Sequence, residues 1–482
     1  MKGPAGIPTG TANAIFVLVI VLLVTTPSSF YHCLARRESS HRRHPPPAPT
    51  TTPPLAPTVP PLPPAGSSTI FNVLHYGAVG DGTTDDTKAS EPCTHAFAAA
   101  WSAACHVTAS TVVVPASHVF LVGPIAFTGD SCESNMVFQV DGTILAPAGP
   151  KAWRSGDVKQ WLEFKNVRGL TIQGSGTVDG QGSHWWSSHP VDEDGDDDVK
   201  AVRVFQGVNV TVTGITIRNS PKFHLTLDTC RGVEVRGVAV SSPGDSPNTD
   251  GIHLTGSVGV SIRNATIACG ERSPDTTRFV AHKNKDRVEM NERDDCVSIQ
   301  GGCSDVSIRT VSCGPGHGIS IGGLGKGGAT AVVSDITVED VTLNRTTNGV
   351  RIKTWQGGSG WVRNVRFSGV RVAAVRTPVV IDQYYCDDRQ AAAAACGNRT
   401  SAVAVSGVAY SGVAGTYTDR PVYLACSDAA PCAGIHLADV RLAPAKDDGE
   451  ARKVRGPFCW KAYGDEVRPV EPPIDCLMAG GP

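Results

Sequence analysis

A short pattern of apolar residues recurs along most of the chain and limits the folds that the chain can adopt. The pattern is two alternating apolar pairs separated by two residues, as in Val210-x-Val212-x-x-Ile215-x-Ile217. Alternation places apolar side chains on one face of a β-strand, so each copy predicts two short strands joined by a turn. Further copies begin at Val233, Val260, Val306, Ile336, Val365, Val403 and Ile435.

The spacing of these copies indicates a solenoid or a propeller. The steps between copies are 23, 27, 46, 30, 29, 38 and 32 residues, and each unit holds two or three β-branched strands and no helix. The strands of successive units must then stack in parallel. Blade signatures of a propeller are missing, and a β-sandwich would not explain the period. The sequence therefore predicts an all-β fold, a single-stranded right-handed parallel β-helix.

One step between copies is too long, and a charged segment accounts for it. Val260 and Val306 are 46 residues apart, and setting aside residues 271–293 shortens this step to 23. The segment is rich in charge and lacks apolar alternation. It is therefore interpreted as an atypical insertion between Gly270 and Asp294. It is either a genuine surface loop or translated non-coding sequence, and the second is favoured because the segment splits the candidate site described below.

The N-terminal residues indicate targeting and a tether. Residues 1–35 contain the apolar run AIFVLVIVLLV and are predicted to be a signal peptide or a signal anchor. Residues 36–66 are basic and then proline-rich, which predicts a disordered, extended linker. The β-helix domain is expected over residues 67–482, with no further stretch able to span a bilayer.

Cysteine content supports a secreted protein, whereas charge says little about partners. The chain has fifteen cysteines, which indicates disulfides in a secreted protein. Net charge is −2, so bulk charge gives no reason to expect nucleic-acid binding. Four sequons for N-glycosylation agree weakly with secretion and lie at Asn209, Asn264, Asn344 and Asn398.

Four polar motifs lie within about a hundred residues, in or beside the repeat strands. Equivalent positions on neighbouring coils of a β-helix lie roughly 4.8 Å apart, so the motifs are expected to form one cluster on one face. The motifs are Asn248-Thr249-Asp250, Asp294-Asp295, Gly316-His317-Gly318 and Arg351-Ile352-Lys353.

This set of side chains suits hydrolysis of a glycosidic link in an anionic sugar. One carboxylic acid protonates the leaving oxygen and another carboxylate activates water or attacks directly. Arg351 and Lys353 alternate around Ile352, so both are expected to point outward, where they can bind a carboxylate. Because successive strand residues face opposite ways, Asp294 and Asp295 can act together only at a strand end or kink.

In this order, on a predicted β-helix, the four motifs resemble glycoside hydrolase family 28, the polygalacturonases. The similarity extends to segments outside the site, namely FNVLHYGAVGDGTTDDTKA, TIQGSGTVDGQG, SPNTDGIH, CGPGHGISIGGLG and RIKTWQG, and runs from about Ser67 to the C-terminus. The resemblance implies a pectin-lyase-like solenoid with a short N-terminal helical cap. It further implies inverting hydrolysis of α-1,4-galacturonosyl links in demethylated pectin, in plant cell-wall remodelling.

The resemblance also implies a role for each site residue. Asp294 is the expected general acid, and Asp250 and Asp295 are expected to hold and activate the water. His317 would tune the acid and orient groups. The expected substrate-binding residues are Arg351, Lys353 and Asn248. The protein is expected to be a secreted, cell-wall monomer that binds homogalacturonan and needs no metal or cofactor.

Five disulfides follow from proximity and from the resemblance. The expected pairs are Cys105–Cys132, Cys296–Cys313, Cys386–Cys396, Cys426–Cys432 and Cys459–Cys476, which leaves Cys33, Cys93, Cys230, Cys269 and Cys303 unpaired.

Two alternatives remain open at the level of sequence. The first is a pectate-lyase-like enzyme on the same architecture, which would cleave by elimination and bind calcium. The second is a catalytically impaired pectin-binding wall protein, disabled by segment 271–293.

Overall fold

The computed structural model describes residues 69–87, 96–153, 160–186, 199–244, 246–271, 294–386, 402–447, 450–451 and 453–482. The predicted signal segment 1–35, the predicted linker 36–66 and nearly all of the predicted insertion 271–293 lie outside these ranges.

The described strands form three stacks, and the chain visits the stacks in turn. The first stack contains β1 (Ile70–Asn72), β3 (Thr111–Val114), β6 (Val137–Val140), β9 (Thr171–Gln173), β12 (Val208–Thr213), β15 (Arg231–Arg236), β18 (Val258–Arg263), β21 (Ser304–Arg309), β24 (Thr330–Glu339), β27 (Ser359–Ser368), β30 (Ala404–Tyr417), β32 (Cys432–Pro444) and β36 (Ala462–Glu471). The second contains β2 (Asp81–Asp85), β4 (Val119–Leu121), β7 (Thr143–Leu145), β10 (Thr177–Asp179), β13 (Thr216–Arg218), β16 (Ala239–Pro243), β19 (Thr266–Glu271), β22 (Ser312–Cys313), β25 (Thr342–Asn344) and β28 (Arg371–Val375). The third contains β5 (Ile125–Thr128), β8 (Gln160–Lys165), β11 (Lys200–Phe205), β14 (Leu225–Asp228), β17 (Ile252–Thr255), β20 (Asp295–Ile299), β23 (Gly318–Leu324), β26 (Asn348–Trp355), β29 (Thr377–Tyr385), β31 (Val422–Ala425) and β35 (Phe458–Trp460).

Outside the stacks lie a few short elements. They are helices α1 (Ala96–Cys105) and α2 (Ser183–Trp186), 3-10 turns at Val73–Tyr76, Pro150–Ala152 and Lys326–Gly328, and the antiparallel pair β33 (Lys446–Asp447) and β34 (Glu450–Ala451).

Neighbouring strands within each stack pair in parallel, which confirms the predicted all-β, right-handed parallel β-helix. The predicted repeat copies pair with one another directly: Val210 with Val233, and Val260 with Val306. The pairing of Val260 with Val306 confirms that the long step in the sequence is a single coil.

One predicted copy is out of register. Val365 pairs with Val408 and not with Val403, and Val408 then pairs with Ile435. The error arose because Val408 and Tyr410 can be read either as the second apolar pair of a copy that starts at Val403 or as the first pair of a copy that starts at Val408. Local alternation alone cannot distinguish these two registers.

The core fills the space between the stacks with columns of β-branched residues in register. Val212, Val235, Ile262 and Ile308 occupy successive coils, pair with one another, and are fully inaccessible to solvent. Each coil thus buries an apolar side chain against an equivalent one above and below, at roughly 4.8 Å spacing. This repeated burial explains the alternation seen in the sequence.

Helix α1 covers the N-terminal end of the solenoid and confirms the predicted cap. Trp101 packs against Phe127, Phe138 and Phe164, with ring centroids 5.2, 6.5 and 6.0 Å away. Its indole nitrogen donates a hydrogen bond of 2.9 Å to the carbonyl of Thr128. The helix therefore shields the first coils, whose core would otherwise face water.

Four of the five predicted disulfides are confirmed, namely Cys105–Cys132, Cys296–Cys313, Cys426–Cys432 and Cys459–Cys476. Cys386 is also disulfide-bonded, while its predicted partner Cys396 lies outside the described residues. Cys230, Cys269 and Cys303 are free, as predicted, and all three are buried. Across the described ranges, no helix is both long enough and apolar enough to traverse a membrane.

The packing of α1 predicts the stability of the cap. We expect Trp101→Ala to lower the free energy of unfolding by about 3–5 kcal/mol, because it removes a buried aromatic ring and leaves a cavity. Denaturant titration followed by circular dichroism measures this change. Val467→Ala, at a side chain that is 51% exposed, should change it by no more than about 0.5 kcal/mol. Equal effects of the two substitutions would contradict the role assigned to the cap.

Candidate active site

The third stack brings the four predicted motifs to one face. Asp250 lies two residues before β17, which pairs with β20, and Asp295 begins β20. The amide of Gly251 donates to the carbonyl of Asp295 at 2.9 Å, and the amide of His317 donates to the carbonyl of Asp294 at 2.7 Å. The backbone therefore places Asp250, Asp294, Asp295 and His317 on three successive coils.

Arg351 and Lys353 lie on the coil after that, in β26, and complete the cluster. Ile352 between them is fully buried, and both charged side chains point outward and reach back to Asp295. The predicted alternation at this strand is therefore confirmed. Asn248 belongs to the same loop as Asp250 and has a left-handed backbone conformation, with φ of 52°.

The two ends of the predicted insertion meet beside the cluster. The amide of Asp294 donates a hydrogen bond of 3.3 Å to the carbonyl of Cys269, which precedes the segment. The single coil between Val260 and Val306 is the consequence. Glu271, predicted as the first residue of the insertion, instead ends β19 and pairs with Pro243 after a shift in register, because β-pairing continues one residue past Gly270.

Asp294 has an environment that favours its protonated form. Its Oδ2 accepts hydrogen bonds from the Thr249 amide and, at 3.2 Å, from the Thr249 hydroxyl. Desolvation in the cleft, followed by repulsion from the charge of Asp250, raises the pKa of Asp294 well above its usual range despite these donors. Asp294 is therefore suited to keep a proton at a pH where an ordinary aspartate would be ionised.

The loop that carries Thr249 is held by buried hydroxyls. The Ser246 hydroxyl lies 2.7 Å from the Thr249 hydroxyl and donates to the carbonyl of Pro243 at 2.6 Å. The Ser242 hydroxyl lies 3.0 Å from Thr249 on the other side. These contacts fix the position from which Thr249 holds Asp294.

Asp295 has the opposite environment. It is 3% exposed, and burial alone would raise its pKa. The charges of Lys353 and Arg351, 3.1 and 2.9 Å from its carboxylate oxygens, outweigh burial and hold the pKa of Asp295 below its usual range. The hydroxyl of Ser320 also donates to Asp295, at 2.6 Å. Asp295 is therefore an ionised carboxylate.

The two adjacent aspartates meet the geometric condition stated from the sequence. Asp294 precedes β20 and Asp295 is its first residue. The pairing of β20 with β23 also shifts register between Asp295 and Val297. Because the strand is irregular at this point, successive side chains can both face the cleft.

Asp250 is oriented by two histidines. Its Oδ2 lies 2.9 Å from Nδ1 of His253, whose ring stacks on Phe223 with centroids 4.0 Å apart. The amide of His224 donates to the carbonyl of Asp250 at 2.9 Å. Burial lowers the pKa of His224, so this histidine is neutral. Asp250 is thus held on both its side chain and its backbone.

Sequence analysis did not identify Thr249, His253, Ser320 and Tyr385 as site residues. Thr249 and His253 lie in SPNTDGIH, and Ser320 lies in GHGISIGG. These segments resemble the family, but nothing in the sequence indicated that these three residues contact the carboxyl groups of the site. Tyr385 approaches Lys353 from β29, with its hydroxyl 3.5 Å from Nζ. Only pairing between coils places it there.

Gly318, beside His317, is required by the stacking of the coils. Gly318 has φ of 96°, and a Cβ atom there would clash with the carbonyl oxygens of Asn348 and Gly349 on the next coil. Stacking of the coils therefore requires Gly318 whether or not a substrate is present.

Comparison with known proteins connects this cluster to one family. A family model described as glycosyl hydrolases family 28 matches residues 105–273 and 285–459. The interruption between the two matches falls within the predicted insertion. A probable polygalacturonase of Arabidopsis thaliana is 38% identical over 416 residues, or 85% of each chain. A polygalacturonase of Chamaecyparis obtusa is 37% identical over 78% of this chain and 67% of that protein.

Solved structures share the fold. The endo-xylogalacturonan hydrolase of Aspergillus tubingensis superposes with a TM-score of 0.61 at 23% identity, over 80% of this chain and 95% of that chain. The polygalacturonase of Erwinia carotovora superposes with a TM-score of 0.57 at 22% identity, over 78% and 99%. At these identities the likeness concerns the fold alone.

The ion pairs of Asp295 predict a pH-dependent stability. Its lowered pKa means that ionised Asp295 stabilises the fold above its unfolded-state pKa of about 4, and that this stabilisation is lost as pH falls toward the folded-state pKa. We expect Lys353→Ala to lower the free energy of unfolding by about 3 kcal/mol at pH 7, and by less as pH falls below about 4.

Chemical unfolding at a series of pH values measures this difference. Lys453→Ala, at an exposed lysine, serves as the control and should have little effect at any pH. A loss for Lys353→Ala that is the same at pH 3 and pH 7 would contradict the assigned ion pair.

Proposed function

The chain belongs to glycosyl hydrolases family 28, and on that premise we propose that it hydrolyses α-1,4 links between galacturonate residues of demethylated pectin. One observation carries the chemistry. Two adjacent carboxyl groups have pKa values displaced in opposite directions, upward for Asp294 and downward for Asp295. Such a divergence separates a proton donor from an ionised carboxylate within one site.

Asp294 is the proposed general acid. Its raised pKa keeps the proton that it passes to the glycosidic oxygen as the bond to the anomeric carbon breaks. Asp250 and Asp295 are proposed to hold the water whose oxygen attacks that carbon from the opposite face, and one of them takes up the proton that the water releases. Attack from the opposite face inverts the anomeric configuration.

The remaining site residues are proposed to position the substrate. Arg351 and Lys353 carry two positive charges beside Asp295, which supports binding of a sugar carboxylate in the same place. The substrate carboxylate would share these cations with Asp295. His317, on the coil next to Asp294, is proposed to orient the acid, and Asn248 to shape the loop that carries Asp250.

The proposed setting is the plant cell wall, with a secreted monomer acting on pectin. Three of the four sequons, Asn209, Asn264 and Asn344, have exposed side chains, which supports glycosylation in the secretory route. Asn398 lies outside the described residues.

The assignment of the acid predicts a large and specific loss of activity. We expect Asp294→Asn to reduce kcat on polygalacturonate by on the order of 10²–10⁴-fold, because the amide has no proton to donate to the leaving oxygen. Release of reducing ends measures the rate. Asp305→Asn, at an exposed aspartate on β21, should leave the rate unchanged.

Product analysis and the pH profile separate hydrolysis from the alternatives. Proton resonance spectra should show inverted product first, and kcat/KM should fall as pH rises through the raised pKa of Asp294. Unsaturated products that absorb in the ultraviolet, with activity lost on chelation, would instead identify a pectate-lyase-like enzyme. Binding of pectin without turnover by the full chain would identify an impaired wall protein.

The hydrogen bond between the Asp294 amide and the Cys269 carbonyl predicts the effect of removing the insertion. Joining Gly270 directly to Asp294 by deleting residues 271–293 should preserve the fold, because a hydrogen bond already links the two ends. We expect the melting temperature to be unchanged or higher, and kcat/KM to be at least that of the full chain. Failure of the shortened chain to fold would show that the segment is a required part of the coil.

A further inference from the structure

An aromatic surface lies at the C-terminal end of the third stack, beyond the catalytic cluster. Tyr423 and Phe458 stack with ring centroids 5.2 Å apart and an interplanar angle of 20°. Phe458 is 38% exposed and Trp460, two residues further along β35, is 48% exposed. We call Tyr423, Phe458 and Trp460 the aromatic platform. Exposure of two large rings on one three-residue strand is unusual for residues that only complete a core.

The platform faces the same way as the cationic part of the active site. Arg351 pairs with Val380, Val380 with Tyr423, and Tyr423 with Phe458. Residues in register on a parallel stack point in one direction. By the same ladder, Lys353 is followed by Asp382, Ala425 and Trp460. Tyr423 therefore lies about 10 Å, or two strand spacings, and Phe458 and Trp460 about 14 Å, or three strand spacings, beyond Arg351 and Lys353 along the same face.

A continuous series of side chains joins the two regions. The ring of Tyr385 lies under Lys353, with Nζ 4.8 Å from the ring centroid. The neighbouring residue Tyr384 interacts with Trp460. The hydroxyl group of Tyr384 also donates a hydrogen bond of 3.2 Å to Asp428. Contacts through Lys353, Tyr385, Tyr384 and Trp460 therefore connect the two regions, while Val380 and Asp382 occupy the intervening ladder positions.

Cations flank the platform and β35 is anchored beneath it. The Arg420 guanidinium lies 5.5 Å from the ring centroids of both Tyr423 and Phe458. The ammonium of Lys461 lies 5.9 Å from the ring of Trp460. Between the two exposed rings, Cys459 forms a disulfide with Cys476. The rings thus project from a strand tied to the C-terminal segment, which favours a fixed binding surface.

We propose that the aromatic platform is a remote binding site for the same polysaccharide, holding galacturonate residues about three sugars beyond those at Arg351 and Lys353. The proposal rests on the proposed function of the cleft. Flat rings pack against the C–H faces of pyranose rings, and Arg420 and Lys461 lie where they attract the carboxylates of an anionic chain. A short oligosaccharide at the catalytic residues ends before it reaches the platform, so the contact favours long chains.

A double substitution, Phe458→Ala with Trp460→Ala, tests the proposal. The enzyme is assayed on trigalacturonate and on polygalacturonate, and the ratio of kcat/KM for the polymer to that for the trimer is compared with the unsubstituted chain. We expect this ratio to fall about tenfold, which is the usual cost of removing an aromatic anchor from an interface. Trp361→Ala is the matched control, since Trp361 also lies beside a cation, Arg363, but on the first stack. Its ratio should not change.

Binding measurements separate this proposal from the proposed function. In chains that also carry Asp294→Asn, affinity for polygalacturonate is measured by calorimetry with and without the double substitution. A weaker affinity supports the platform even if the unsubstituted chain hydrolyses nothing. In the opposite outcome, the unsubstituted chain hydrolyses polygalacturonate while the double substitution changes neither the polymer-to-trimer ratio nor the affinity for polygalacturonate. That result would contradict the proposed binding site and would still support the proposed function. Melting temperatures of all variants show whether any loss comes from unfolding, and a smaller single substitution, Trp460→Ala, then repeats the assay.

Discussion

The parallel register of the third stack is the constraint on which the site depends. Asp250, Asp294 and His317 come from separate parts of the sequence, and only the pairing of β17 with β20 and of β20 with β23 brings them together. The pairing of β23 with β26 continues the stack and lets Arg351 and Lys353 reach back to Asp295. Shifting one strand by a single residue would turn every functional side chain on it into the core. The apolar column that holds this register, Ile252, Val297, Ile319 and Val350, is thus as necessary to the site as the carboxylates.

Burial acts on Asp294 and Asp295 equally, and their partners decide the different outcomes. Desolvation raises the pKa of each carboxyl group, but Asp295 has two cations and a serine hydroxyl, whereas Asp294 has a single threonine and a neighbouring charge from Asp250. Arg351 and Lys353 therefore keep Asp295 ionised, and in the proposed function the same two positive charges would also bind an anionic sugar. A substrate carboxylate that draws them away from Asp295 would make Asp295 more basic while substrate is bound.

The sequence predicted those features that depend on neighbouring residues in the chain, namely the direction of side chains along a strand and the length of each repeat. Alternation around Ile352 predicted the outward direction of Arg351 and Lys353, and the over-long step from Val260 to Val306 predicted the insertion. The Val403 copy was wrong because the apolar pattern fits two registers there, and pairing with Val365 selects Val408. His253 and Tyr385 could not be assigned, since their contacts with Asp250 and Lys353 depend on side-chain placement between elements.

The position of the insertion has a physical explanation in the coil itself. A loop can lengthen at modest entropic cost where its ends are already close, and Cys269 and Asp294 are joined by a hydrogen bond. Such a place exists because Asp294 must leave the regular strand for two adjacent carboxylates to share the cleft. The irregular start of β20 and the register shift at the end of β19 therefore mark the place where additional residues can enter between the two strands. The position of the proposed proton donor and the position of the insertion share one structural origin: β20 begins at Asp295, so the residue before it is outside the regular strand.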